Sequence, residues 1–198
     1  MRSFSVNGIE KDIPLDAPKT LPEFMDFVKK NFTSDSEMIS SVKIDGLELN
    51  ERSEAELAET PIEALEALEI TTTHPREFVQ DTLQTLIAFT HQLEGKSRAA
   101  GEAALSSSRG RAELASLVEG ITTFTDALTG IKRILRIGFY QPIAVLEADL
   151  YSILKDLADF QAGEHWEFVA DLLTEHLPTN FVDWRESGLP ALMRARDS

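Results

Sequence analysis

Val42-Lys43-Ile44-Asp45-Gly46-Leu47-Glu48-Leu49 is the stretch on which the fold turns. Apolar and polar residues alternate on both sides of Asp45-Gly46, and an Asp-Gly pair suits a type I′ turn, where both central residues need positive φ. A hairpin is predicted. Toward the N-terminus, Phe4 and Val6 alternate into Asn7-Gly8, the same signal, and Ile9, Ile13 and Leu15 are expected in the returning strand. Between the hairpins, Thr20-Leu21-Pro22-Glu23 has the spacing of a capping box, and Phe24, Phe27, Val28 and Phe32 share one helical face. A helix over 21–32 follows. Toward the C-terminus, Pro61 breaks the chain, and Leu68, Ile70 and Thr72 alternate in a last strand that stops before His74-Pro75.

Residues 1–74 therefore run hairpin, helix, hairpin, short turn, strand, with the turn at Glu54-Ala55-Glu56-Leu57 and the strand around Leu68-Glu69-Ile70. This order resembles the ubiquitin-like β-grasp fold, which also includes sulfur carriers. Modifiers and carriers of that fold end in a free Gly-Gly tail. Here Thr71-Thr72-Thr73-His74-Pro75 runs straight into a helical segment, so the resemblance implies a binding platform and not a modifier or carrier.

Residues 75–198 carry a different periodicity. Phe78, Val79, Leu83, Leu86, Ile87, Thr90 and Leu93 form a helical stripe that opens at Pro75, a favoured first helical position. Leu114 to Leu135 and Ile143 to Phe160 repeat apolar residues at spacings of three and four, and Trp166, Val169, Ala170, Leu173 and Leu177 begin a stripe that continues past Pro178 to Phe181 and Trp184. Each seam needs another helix against it. Short breaks at Gly138 to Pro142 and at Ala162-Gly163 make successive helices antiparallel neighbours. The fold class expected is thus α+β: a β-grasp-like domain over 1–74, then an antiparallel bundle of four or more helices over 75–198. The Ala/Gly/Ser-rich segment 95–111, with Ser106-Ser107-Ser108 at its centre, is expected as a flexible connector outside the core.

Composition excludes several classes. The chain has 198 residues and no cysteine, so a disulfide scaffold, a Cys-ligated metal site and a cysteine nucleophile are ruled out. With 34 acids against 19 bases the net charge is -15, which disfavours sequence-independent nucleic-acid binding. No signal peptide or membrane-length apolar run is present, and a cytoplasmic protein is expected.

Chemical motifs are lacking. Gly95-Lys96-Ser97 imitates the end of a phosphate loop, but Thr90 stands where the upstream glycine belongs and a helix precedes it. His165 and His176, eleven apart, would lie about three helical turns from each other, and no paired Glu-x-x-His motif accompanies them. No catalytic residue, cofactor or metal is therefore expected, and the absence of enzymatic activity is the expectation.

Partner binding has better candidates. Lys132, Arg133 and Arg136 form a basic cluster where a helix C-terminus also favours cations. Phe139, Tyr140, Trp166 and Trp184, with Phe181, concentrate aromatic area, which serves interfaces as well as cores. Asp45 to Glu69 holds nine acids (Asp45, Glu48, Glu51, Glu54, Glu56, Glu59, Glu63, Glu66, Glu69) and the single base Arg52, a field that would steer a basic partner and otherwise serves solubility. The function expected is protein–protein interaction of an adaptor or chaperone-like kind; the chain is similar in size and charge to export and flagellar chaperones. Homodimerisation through a spare helical face is a further expectation. The alternatives are a ligand-binding or enzymatic pocket in the bundle or at the domain junction, and an architectural subunit of a larger assembly.

Overall fold

The computed structural model describes residues 3–13, 18–34, 36–49, 53, 56–57, 60–104 and 109–197, the side chains of 3 and 109–112 excepted. The chain divides into two compact units, Met1–Phe78 and Val79–Ser198. The class is α+β, a mixed sheet followed by a helical region.

In the first unit, β1 (Ser3–Val6) and β2 (Ile9–Glu10) precede α1 (Leu21–Phe32). β3 (Met38–Ile44) and β4 (Leu47–Glu48) follow, then a 3-10 turn at Ile62–Ala64 and β5 (Ala67–Thr73). The sheet order is β2-β1-β5-β3-β4, with β1 parallel to β5 and the other pairs antiparallel. Period-two alternation sends Phe4, Val6, Val42, Ile44, Leu68 and Ile70 to one face, where Leu21, Phe24 and Val28 of α1 cover them. Phe4 meets Phe24 edge-on at 5.1 Å between ring centroids.

Both hairpin turns form as the sequence predicts. Asn7 and Asp45 each take φ 53°, followed by Gly8 and Gly46 at φ 74° and 81°. Their side chains do more than turn the chain. Asn7 donates through Nδ2 to Thr72 Oγ1 at 2.9 Å and accepts the Thr72 N–H through Oδ1 at 2.8 Å. Asp45 accepts the N–H groups of Glu66 and Ala67 on one carboxylate oxygen, at 2.9 and 2.7 Å. The two turns thus hold opposite ends of the central strand β5. Asp45, counted above with the acidic field, is a structural acceptor.

Two local expectations are corrected. The returning strand of the first hairpin is only Ile9–Glu10, and Ile9 is exposed; Ile13 instead packs against the core from a non-strand segment. Thr20 precedes α1 but makes no side-chain cap bond, because its backbone is engaged in a bridge to Pro61 and fixes the entry of the helix that way. Leu15, Glu51, Arg52, Glu54, Ala55, Glu59 and Ser106-Ser107-Ser108 lie outside the described residues.

The helical region comprises α2 (Pro75–Ala104), α3 (Arg109–Ile134), α4 (Gln141–Ala162) and a last rod over 166–196. That rod is α5 (Trp166–Asp171), a π turn at Leu172–His176, α6 (Leu177–Asp183), a second π turn at Trp184–Gly188, and α7 (Leu189–Arg196). Each π turn is followed after one residue by a proline, Pro178 or Pro190. Proline lacks an N–H and collides with the carbonyl four residues back, and the wider i→i+5 turn absorbs both effects without ending the helix. The N–H of Leu177 bonds to Leu172 and that of Leu189 to Trp184 in this wider register. The Thr174 carbonyl, which Pro178 cannot satisfy, accepts Arg98 Nη1 at 2.9 Å.

The predicted seams are the core. Val79, Leu83, Leu93, Leu117, Phe124, Ile131, Ile143, Val169, Leu173 and Phe181 are buried in one cluster. Helices α3 and α4 run antiparallel, since Lys132 meets Glu147 while Thr125 and Thr129 share a cleft with Tyr151 and Leu154.

The described first part of the segment 95–111 departs from expectation. Residues 95–104 continue α2, and Ser97, Ala100 and Gly101 are buried. Smallness here serves close packing: a Cβ on Gly101 would stand 2.7 Å from Thr174 Cγ2 and 3.1 Å from the Ala170 carbonyl, while Ser97 Oγ donates to the Leu173 carbonyl at 2.6 Å. Small residues let the last rod approach α2 at its first π turn. Composition alone cannot separate this use from a loose connector.

Candidate functional site

Arg133, Arg136 and Phe139 lie at the corner between α3 and α4. Helix α3 ends in a Schellman motif: Arg136 N–H bonds to the Arg133 carbonyl at 3.1 Å, and Ile137 N–H to the Lys132 carbonyl at 2.9 Å. The residue that must turn left-handed is Arg136, φ 56°, where glycine is usual. Holding an L-residue there costs about 1–2 kcal/mol, and no ion pair or hydrogen bond of the Arg136 side chain among the described residues offsets that cost. Arg133 and Arg136 are exposed, and Phe139, three residues on, is 83% exposed.

The other four candidates divide differently. Lys132 is engaged, its Nζ 2.8 Å from Glu147 Oε1 across the α3–α4 seam. Tyr140 packs on the core with its hydroxyl donating to the Ala191 carbonyl at 3.3 Å. Trp166 is half-buried against the same core. Trp184 is fully buried, with its ring edge-on to Phe124 at 5.5 Å and seated over Gly188, where a Cβ would come within 2.5 Å of the indole. Its expected place on a partner-binding surface is corrected: the stripe that carries it faces inward, and Gly188 exists to admit it.

Trp184 also floors a cleft of about 210 Å³ between α3 and α4, lined by Thr125, Leu128, Thr129, Glu147, Leu150, Tyr151 and Leu154. Its Nε1 and Asn180 Oδ1, one helical turn away, are buried without a hydrogen-bond partner among the described residues. The orientation of Asn180 is set by Nδ2, which donates to Asp149 Oδ2 at 3.0 Å. The corner of α4 with the last rod is closed by a second Schellman motif, in which Glu164 (φ 57°) is the left-handed residue and Gly163 makes room for the His165 ring. His165 lies edge-on to Phe160 and Phe168, so its surroundings are aromatic. His176 is 3.7 Å from Asp171, both exposed. Among the described residues no group of three or more His, Asp or Glu side chains could hold a metal ion, and no helix is long and apolar enough to cross a membrane. Gly95-Lys96-Ser97 lies inside α2.

The first unit offers a second concave surface, about 410 Å³, between α1 and the outer edge of β3. It is assembled from residues some fifteen positions apart in sequence, Leu21 to Asp26 and Ile39 to Val42, together with Glu48 and Leu49. No local motif announces it.

Comparison with known proteins bears on the first unit alone. No curated protein and no solved structure matches the chain. Residues 3–74, which contain the whole sheet, match the family model described as TP0873 N-terminal domain.

Proposed function

We propose that the protein is a non-enzymatic interaction protein, adaptor or chaperone-like, and that the corner formed by Arg133, Arg136 and Phe139 is the surface through which its helical region holds a protein partner. The observation that carries this reading is Phe139: a large aromatic side chain 83% exposed, in the same short stretch of chain as the exposed Arg133 and Arg136. Exposed aromatic and arginine side chains are the groups most often found as interface anchors. The left-handed Arg136 supports the same reading, because the Schellman bonds fix its backbone while its exposed side chain has no hydrogen bond or ion pair among the described residues and is left for a contact outside the fold. A partner at this corner would present carboxylates; a basic partner belongs with the acidic first unit. The order β2-β1-β5-β3-β4 supports a ubiquitin-like β-grasp assignment for that unit, used as a platform since its last strand leads into α2.

The test is co-purification from the native cell with the partner identified, repeated with Phe139→Ala combined with Arg133→Glu. Loss of the same partner from a normally folded variant is expected. Undiminished retention of every partner would refute the corner. A second reading, a small-ligand site in the α3–α4 cleft, is favoured by Trp184, which lines the cleft and whose Nε1 has no hydrogen-bond partner among the described residues. With Trp166 replaced by Phe, Trp184 is the sole indole, and a ligand in the cleft would shift its fluorescence.

A further inference from the structure

The geometry points to the outer edge of β3 as the docking site for a short extended segment of a basic partner, added as an extra strand beside Met38–Ser41 and anchored in the groove against α1. This site lies on the first unit and is independent of the Arg133–Phe139 corner, so either can fail alone. On its outer side β3 pairs with β4 only at Lys43 and Ile44, with one further bond from Leu49 N–H to the Val42 carbonyl. Among the described residues nothing pairs with the edge from Met38 to Ser41 on that side. An open edge is a template for main-chain hydrogen bonds with another strand.

The groove beside it is about 410 Å³, and its lining mixes apolar side chains, Leu21 and Met25 from α1, Ile39 from β3 and Leu49, with Ser40 and Ser41. Alternate side chains of an added strand would point into this groove and away from it. The rim sets the charge of the occupant. Asp26 and Glu48 are the charged residues of the lining, and no Lys or Arg is among them. Asp26 is exposed and has no ion pair or hydrogen bond among the described residues, and Glu48 accepts only from Ser41 Oγ, at 3.1 Å. The first 75 residues hold 16 acids and 7 bases, a net -9, so the wider field has the same sign.

A second copy of this chain is the wrong occupant. Edge-to-edge pairing of two such rims would set carboxylates against carboxylates. A short partner strand carrying Lys or Arg around apolar residues meets the rim with the opposite charge.

The probe is a fluorescein-labelled hexapeptide of alternating valine and lysine, titrated against the full chain by fluorescence anisotropy, with an alternating valine–glutamate hexapeptide as the control. Binding of the lysine peptide alone is expected, with amide shifts in NMR spectra confined to Ile39–Val42, Met25 and Asp26. The doubly reversed variant Asp26→Lys, Glu48→Lys, altered at exposed positions only and checked for an unchanged circular dichroism spectrum, should bind at least tenfold more weakly. The proposal is overturned by no binding at millimolar peptide, by equal binding of the glutamate peptide, by affinity unchanged on charge reversal, or by shifts elsewhere. Concentration-dependent self-association that blocks the peptide would also overturn it, by giving the edge to a second copy.

Discussion

The sheet unit and the helical unit both carry residues with left-handed backbone, and they treat them in opposite ways. At the hairpins, Asn7 and Asp45 accept an unfavourable φ and are compensated at once by bonds to β5, and the glycine after each carries the second positive φ. At the helix ends, Arg136 and Glu164 adopt the same conformation, and neither side chain has a hydrogen bond or ion pair among the described residues. At the helix ends the backbone bonds of the Schellman motifs hold the conformation, and the exposed side chains take no part in it. The comparison therefore separates turn residues whose side chains the fold uses from corner residues whose side chains are left at the surface.

The largest effect that sharpens the contrast lies in the cores. Phe124→Ala removes the ring on which both Phe181 and Trp184 stand edge-on, and a loss of about 3–5 kcal/mol is expected in chemical denaturation. Next comes the turn that is compensated. Asp45→Ala leaves the exposed N–H groups of Glu66 and Ala67 to water and should cost about 0.5–1.5 kcal/mol, whereas Asp45→Asn keeps an acceptor and tolerance of positive φ and should cost less. Equal losses for Ala and Asn would break the account of the hairpins. The uncompensated corner should respond with the opposite sign: Arg136→Gly relieves the backbone and is expected to raise stability by about 1 kcal/mol while weakening capture of the partner. A destabilised Arg136→Gly would mean that the side chain has a structural role after all.

The smallest effect is in acid. Glu37 has its pKa lowered below the usual 4.5, chiefly because its carboxylate accepts the Ser34 N–H at 3.0 Å. A group lowered on folding stabilises the folded state above its unfolded pKa, and that contribution fades as pH falls through the lowered value. An NMR titration should place the Glu37 midpoint below that of a free glutamate, and Ser34→Pro, which removes the donor, should return it upward.

Much of the architecture was legible because it rests on local chemistry. Asn7-Gly8 and Asp45-Gly46 announce their turns, and the stripes from Val79 to Trp184 announce four rods. What was hidden depends on partners far along the chain. Nothing near Asn7 in sequence says that Thr72 will receive it, and nothing in Gly95 to Ala104 distinguishes a loose connector from a surface cut small for Thr174 and Leu173. Whether Pro178 and Pro190 bend one rod or divide it was not legible, since the π turns that accommodate them have no composition of their own. At the candidate site, Arg133, Arg136 and Phe139 are exposed; Lys132, Tyr140 and Trp184 were claimed by Glu147, Ala191 and the core, contacts that sequence separation conceals. The β3 groove escaped notice because its two walls are individually unremarkable.

The two π turns leave the terminal rod out of phase with an ordinary helix. Each holds a residue in excess, so deleting one position within Leu172–His176 would close the turn to normal pitch and swing every later side chain by about 100°. Phe181, Trp184 and Leu189 would then leave the interior together. The spacing between Leu173 and Trp184 is consequently a count the chain must keep, and in this rod a missing residue should do more damage than a poorly chosen one.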